Sequence, residues 1–169
     1  MGSEGERNFI LQQGLPEPAA STCHLQYSAL LFQPRLVGLA VVLGVALQEP
    51  VVFLVLAGVL WWSAVFPRLS PFDALYNAFG SRRPGRVALS PAPAPRRFAQ
   101  GMAGTFALAI AIALMSGWRA TAFVLEGLLT AAIAALALGG FCLGSFIFHL
   151  LRGRAAFAMR TLPWGRGAG

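Results

Sequence analysis

Two long apolar blocks, residues 36–66 and 98–151, make up half of the chain, and between them they carry only Glu49, Arg119 and Glu126 as full charges. Stretches so apolar and so long belong in a bilayer, where every backbone polar group must be satisfied within a helix or a closed barrel. Residues 67–97 between the blocks are the reverse, polar and rich in proline, and hold six of the thirteen arginines. The chain therefore reads as two membrane hairpins joined by a charged loop.

Composition agrees. Only 11% of the residues are charged and the mean hydropathy is +0.67, whereas about a quarter of an ordinary soluble domain is charged. The net charge of +7 would suggest nucleic acid on a soluble surface. Here the arginines sit at the ends of apolar segments, so the expected partners are anionic lipid headgroups and no nucleic acid. The two cysteines, Cys23 and Cys142, form neither a disulfide framework nor a Cys-x-x-Cys pair. The acidic start, with Glu4, Glu6 and Glu17, does not read as a cleavable signal peptide.

The expected fold is all-α, a polytopic four-helix transmembrane bundle of two hairpins with a short interfacial amphipathic helix. Residues 1–33 form an N-terminal cytoplasmic or interfacial segment, with Leu25, Ser28, Ala29 and Phe32 on one helical face. Residues 34–66 form the first hairpin, entered at Pro34 and turned at Gln48-Glu49. Its helices, about 15 to 17 residues each, are short against the roughly 20 needed to span. In the loop, 67–97, Ser70-Pro71-Phe72-Asp73 is a helix start in which Ser70 caps and Asp73 closes a capping box. Phe72, Leu75, Tyr76 and Phe79 would then lie down in the lipid.

Residues 98–151 form the second hairpin, and 152–169 a basic tail. Its last segment, from Trp118 to Leu151, is too long for one straight span, and Gly139-Gly140 is where it should bend. Helix contacts are expected at Gly101 and Gly104, at Ala131, Ala135 and Gly139, and at Gly140 and Gly144, where small side chains let helices approach. Twelve arginines flank one side of this layout and Arg119 alone the other, which places both termini and the loop in the cytoplasm of a bacterial inner-membrane protein. Arg68, Arg82, Arg83, Arg86, Arg96, Arg97, Arg152 and Arg154 are the expected headgroup contacts.

Pro95-Arg96-Arg97-Phe98-Ala99, Ser90-Pro91 upstream of it, and Cys142-Leu143-Gly144 near the end of the last segment carry a resemblance. The chain resembles, over residues 30–153, a bacterial family of small membrane proteins known only as a domain of unknown function. Its members show Pro-Lys/Arg-Arg-Phe-Ala at the third helix and Cys-x-Gly-Cys near the end of the fourth. Ser145 stands where the second cysteine would be, so the thiol pair that the resemblance implies is absent here.

Three groups could carry chemistry. Cys142, Ser145 and His149 fall at i, i+3, i+7 and would share a helix face, a thiol with His149 as its base. Glu126 is the one acid inside a span and could serve a proton path; at ~100° per residue it falls roughly opposite Cys142 on a single helix. A tetrapyrrole would need imidazoles on facing helices, and only His149 lies near a span, so no cofactor and no metal is expected. The first reading of function is a non-catalytic accessory or scaffolding subunit packed among other proteins of a larger membrane complex. The alternatives are a membrane thiol or sulfur redox protein using Cys142 and a small proton-linked transporter using Glu126.

Overall fold

A computed structural model describes residues 3–80 and 87–164; Arg82, Arg83 and Arg86 lie outside them. Every regular element among the described residues is helical. In chain order these are α1 (Ser3–Gln12), α2 (Cys23–Leu30), α3 (Phe32–Leu47), α4 (Pro50–Val65), a single tighter turn (Pro67–Leu69), α5 (Pro71–Leu75, continued by a wider turn over Tyr76–Gly80), α6 (Ala94–Met115), α7 (Arg119–Gly139), α8 (Leu143–Leu151) and α9 (Ala155–Arg160).

Three stretches are long and apolar enough to cross a bilayer: Cys23–Leu47, Ala94–Met115 and Arg119–Gly139. The first is longer than the sequence suggested, because α2 runs into α3 with only a small offset at Leu31. Only α4, at 16 residues, stays below the usual spanning length. Val37 and Val41 of α3, Phe53 and Leu60 of α4, Ile110 of α6 and Leu129 of α7 meet in the main core. Exposed Leu39, Val55, Ile112 and Val124 cover the outside of the same four helices. That distribution is what a bundle in lipid requires, since the bilayer does not drive apolar side chains inward.

The last segment does not merely bend. Gly140 takes the left-handed conformation at φ 62°, and its N–H and that of Phe141 donate to Leu136 O and Ala135 O at 3.2 and 3.1 Å. The Gly140 bond is the 5→1 contact of an αL stop, which favours glycine because the left-handed region costs other residues strain. The chain then turns at Cys142 and restarts as α8, which lies against the first turns of α6. The contact is close: a Cβ on Gly144 would stand 2.7 Å from Ala99 Cα and 2.6 Å from Ala99 Cβ. Gly144→Ala is expected to lift α8 from α6 and to cost about 1–3 kcal/mol, as overpacking does, measurable as a lower midpoint of thermal unfolding in detergent.

Two peripheral segments sit deeper than amphipathic surface helices would. In α1, Phe9, Ile10 and Gln12 are fully buried against α2, α8 and the following loop. Arg7 pairs with Glu17 of the following loop at 2.7 Å, and Glu6 meets His24 of α2 at 2.9 Å. In α5 the Ser70 cap is formed, its Oγ accepting from Asp73 N at 3.4 Å. Tyr76, however, is buried beside Phe32, Phe72 packs on the main core, and only Leu75 and Phe79 stay exposed. The face expected to enter lipid is thus split, because the Asp73 side chain is drawn inward.

Candidate functional site

Asp73 is drawn in by Arg96. Arg96 directly follows the proline-rich stretch as the third residue of α6, and it is 5% exposed. Its Nη2 donates to Asp73 Oδ1 at 2.8 Å and to Gln33 Oε1 at 2.8 Å. Gln33 Oε1 also accepts from Gln100 Nε2 at 3.0 Å, one turn further along α6. A guanidinium buried in a bundle needs both a counter-charge and filled donors, and α3, α5 and α6 each supply part. Arg96 is therefore no headgroup contact. Arg68, Arg152 and Arg154 are exposed, and Arg97 is exposed while its Nε donates to Ala64 O at 2.6 Å.

Beside this network lies a cavity of about 80 Å³, room for a few small molecules of water, each of which needs roughly 10–15 Å³ of such space. Gln13, Gln33, Arg96 and Gln100 form its polar wall, and Phe9, Leu60, Ile133 and Cys142 are among the residues opposite. Gln100 Oε1 is buried without a hydrogen-bond partner. An orphaned buried acceptor costs about 1–3 kcal/mol, so a donor in the cavity would be held there.

Cys142 is 3% exposed and carries a free thiol. The stop at Gly140 leaves it extended, φ −94° and ψ 98°, as the residue that caps the start of α8. Its backbone N–H donates to Gln12 Oε1 at 3.0 Å, which ties the restart of the chain to α1. Ser145 and His149 face the same buried side. His149 Nε2 lies 3.1 Å from Gln12 O; a carbonyl can only accept, so Nε2 carries the hydrogen and donates. His149 Nδ1, Ser145 Oγ and Gln12 Nε2 are buried without partners.

The three residues read as one face thus remain together, but not as a base and its thiol. Seven residues of helix at ~1.5 Å each separate His149 from Cys142 along the axis, and α1 stands between them through Gln12. Cys23 is a separate free thiol in the α1–α2 cluster.

Glu126 is 2% exposed near the opposite end of the bundle. Gln48 Nε2 donates to both of its carboxylate oxygens, at 3.1 and 3.2 Å, and to Val45 O at 2.9 Å. Gln48 is the one non-glycine residue with positive φ, 52°, among those described, a conformation that needs such an anchor. Glu126 holds the turn of the first hairpin against α7. Of the helix-packing residues, Gly104 receives Trp61 and Gly144 receives Ala99; Gly101 and Gly139 meet nothing, Ala131 is exposed, Ala135 half-buried, and Gly140 serves the stop.

The sequence alone assigned no role to the cavity residues Gln33 and Gln100, and to Asp73 only that of a helix cap, whereas its side chain pairs with Arg96. The available signal was the polarity of Gln33 and Gln100 at positions flanking Pro34 and Phe98, where an apolar residue would serve an ordinary span better.

Residues 28–153 match the model of a family described as a domain of unknown function (DUF4395). The match covers most of the chain, and the protein belongs to this family. It includes Gln33, Asp73, Arg96, Gln100 and Cys142 and excludes α1. Neither the curated proteins nor the solved structures contain a match.

Proposed function

We propose that this is a four-span membrane protein, its Arg96 end in the cytoplasm, that works through the thiol of Cys142. The single observation that carries this reading is the position of Cys142, at the cap of α8 on the wall of a cavity that also holds Arg96 and the unpartnered Gln100. Backbone N–H groups at a helix start have no intrahelical partner and can solvate an anion there. A thiolate is the reactive form of cysteine, and this site offers it such donors and a space for a second reactant. Arginine asymmetry supports the orientation.

The reaction class is thiol exchange at one sulfur. The thiolate attacks the outer sulfur of a persulfide, a Cys142–sulfur bond forms, the donor's sulfur–sulfur bond breaks, and the donor thiol leaves with the proton. With Ser145 in place of a second cysteine, the product stays on Cys142 until a further thiol takes the sulfur. Glu126, by contrast, has both carboxylate oxygens engaged by Gln48.

Cys142→Ser in the full chain tests the proposal, because it keeps size and shape and removes the sulfur. The variant is expected to behave as the deletion in the native host. Wild-type protein taken from those membranes should carry sulfur on the Cys142 peptide by mass spectrometry. A variant that restores the wild-type state in full, with unmodified Cys142 in the wild type, overturns it.

A further inference from the structure

Cys142 borders a second space besides the polar cavity. An apolar groove of about 290 Å³ runs between α6, α7 and α8, and its thirteen lining residues, Met102, Phe106, Leu128 and Ile147 among them, include no charged or hydrogen-bonding side chain other than the Cys142 thiol. Groove and cavity share Ala99, Ala103, Ile133, Leu136 and Cys142 as lining residues. The two spaces therefore adjoin along α6 and α7, with Cys142 on the border of both. Phe9, Gln13 and Leu30, which line the cavity and not the groove, are 1%, 4% and 3% exposed. The groove instead flanks Leu128 and Leu143, which are 54% and 41% exposed on helices of the bundle's outer surface.

We propose that the substrate reaches Cys142 sideways from the bilayer and is a small amphiphile: an alkyl or isoprenoid tail in the groove, and a head of a few heavy atoms in the cavity that donates one hydrogen bond. The tail follows from the walls, which offer only dispersion and burial. The head follows from Gln100, which is 5% exposed and whose Oε1 lacks a donor, while Gln33 Oε1 already accepts from Arg96 and Gln100. A head that only accepts would leave Gln100 Oε1 unpaired and be held less well. The inference rests on the thiol reading for its chemistry, but the route stands on geometry alone.

The route is tested with full-length Cys23→Ser protein in its own membranes, so that Cys142 is the sole thiol. Two reagents are compared: N-dodecylmaleimide, which partitions into lipid, and a trimethylammonium methanethiosulfonate, added on both faces, which does not. N-dodecylmaleimide is expected to label Cys142 at least tenfold faster. Ala132→Phe, which fills the groove without lining the cavity, should remove most of that labelling; Leu128→Trp serves the same purpose if the first variant fails to accumulate. Equal or faster labelling by the charged reagent, or undiminished labelling in a folded groove-filled variant, overturns the route and leaves the thiol reading standing. No labelling by either reagent before denaturation, with full labelling after it, removes both.

Discussion

Arg96→Met should destabilise the folded protein by about 3–5 kcal/mol, the usual cost of removing one partner from a buried ion pair. The side chains of Arg96 and Asp73 are 7% and 9% exposed, so neither charge is relieved by solvent. Without the guanidinium, Asp73 loses the donor to Oδ1, and its Oδ2 already has none. Gln33 would keep only Gln100. The loss should appear as a large drop in the midpoint of unfolding in detergent, together with release of α5, detectable as faster proteolysis in 67–93. Asp73→Leu combined with Arg96→Met should recover much of the loss, because no unpaired charge then remains inside. If the double variant is as unstable as the sum of the single ones, the pair is not the organising contact of that end.

That contact also shows what the sequence made legible and what it withheld. The apolar blocks announce helices at 36–66 and 98–139 because length and lack of charge leave a bilayer few alternatives. The cap at Ser70 and the interruption at Gly139-Gly140 follow from local chemistry and were readable as such. Arg96 was not, since an arginine beside Arg97 at the mouth of an apolar segment looks the same whether its guanidinium meets phosphate or a buried carboxylate 23 residues upstream. The burial of α1 was hidden for a similar reason: Gln12 has a purpose only against Cys142 N and His149, some 130 residues away. Long-range polar pairing leaves no period in the sequence.

The break at Gly140 was foreseeable as a weak point, yet its consequence was not. A continuous helix would put Cys142 and Ser145 on a buried stripe in mid-helix. A stop at Gly140 makes Cys142 the cap and Ser145 the third residue of α8. The cysteine takes the position before a helix start, where backbone N–H groups lack intrahelical partners, although its side chain forms no cap hydrogen bond. α1 lies outside the family match and still accepts two hydrogen bonds at this site through Gln12, from Cys142 N and His149 Nε2, so in this chain the backbone at the thiol is tied to a segment that the family model does not describe.

Ser145→Cys is expected to convert the single thiol into a disulfide-forming pair. Residues three apart at a helix start are neighbours, with about 5–6 Å between Cβ atoms. Small rotations of the cap residue bring such a pair into the 3.5–4.5 Å range that a disulfide requires. Ser145 is fully buried and its Oγ has no partner, so exchanging oxygen for sulfur breaks no hydrogen bond. Mild oxidation of the Cys23→Ser, Ser145→Cys protein in membranes should remove two hydrogens from the 142–145 peptide and abolish its reaction with maleimide. Reduction should restore both. The same oxidation of the Cys23→Ser parent should leave no intramolecular disulfide, because one thiol cannot form it. If the paired variant stays reduced under conditions that oxidise an ordinary dithiol, Cys142 does not turn toward the first turn of α8, and the cap geometry on which the thiol-exchange mechanism rests is wrong. If the disulfide forms and sulfur ceases to accumulate on Cys142 in the native host, the second sulfur has released what the natural Ser145 allows to stay.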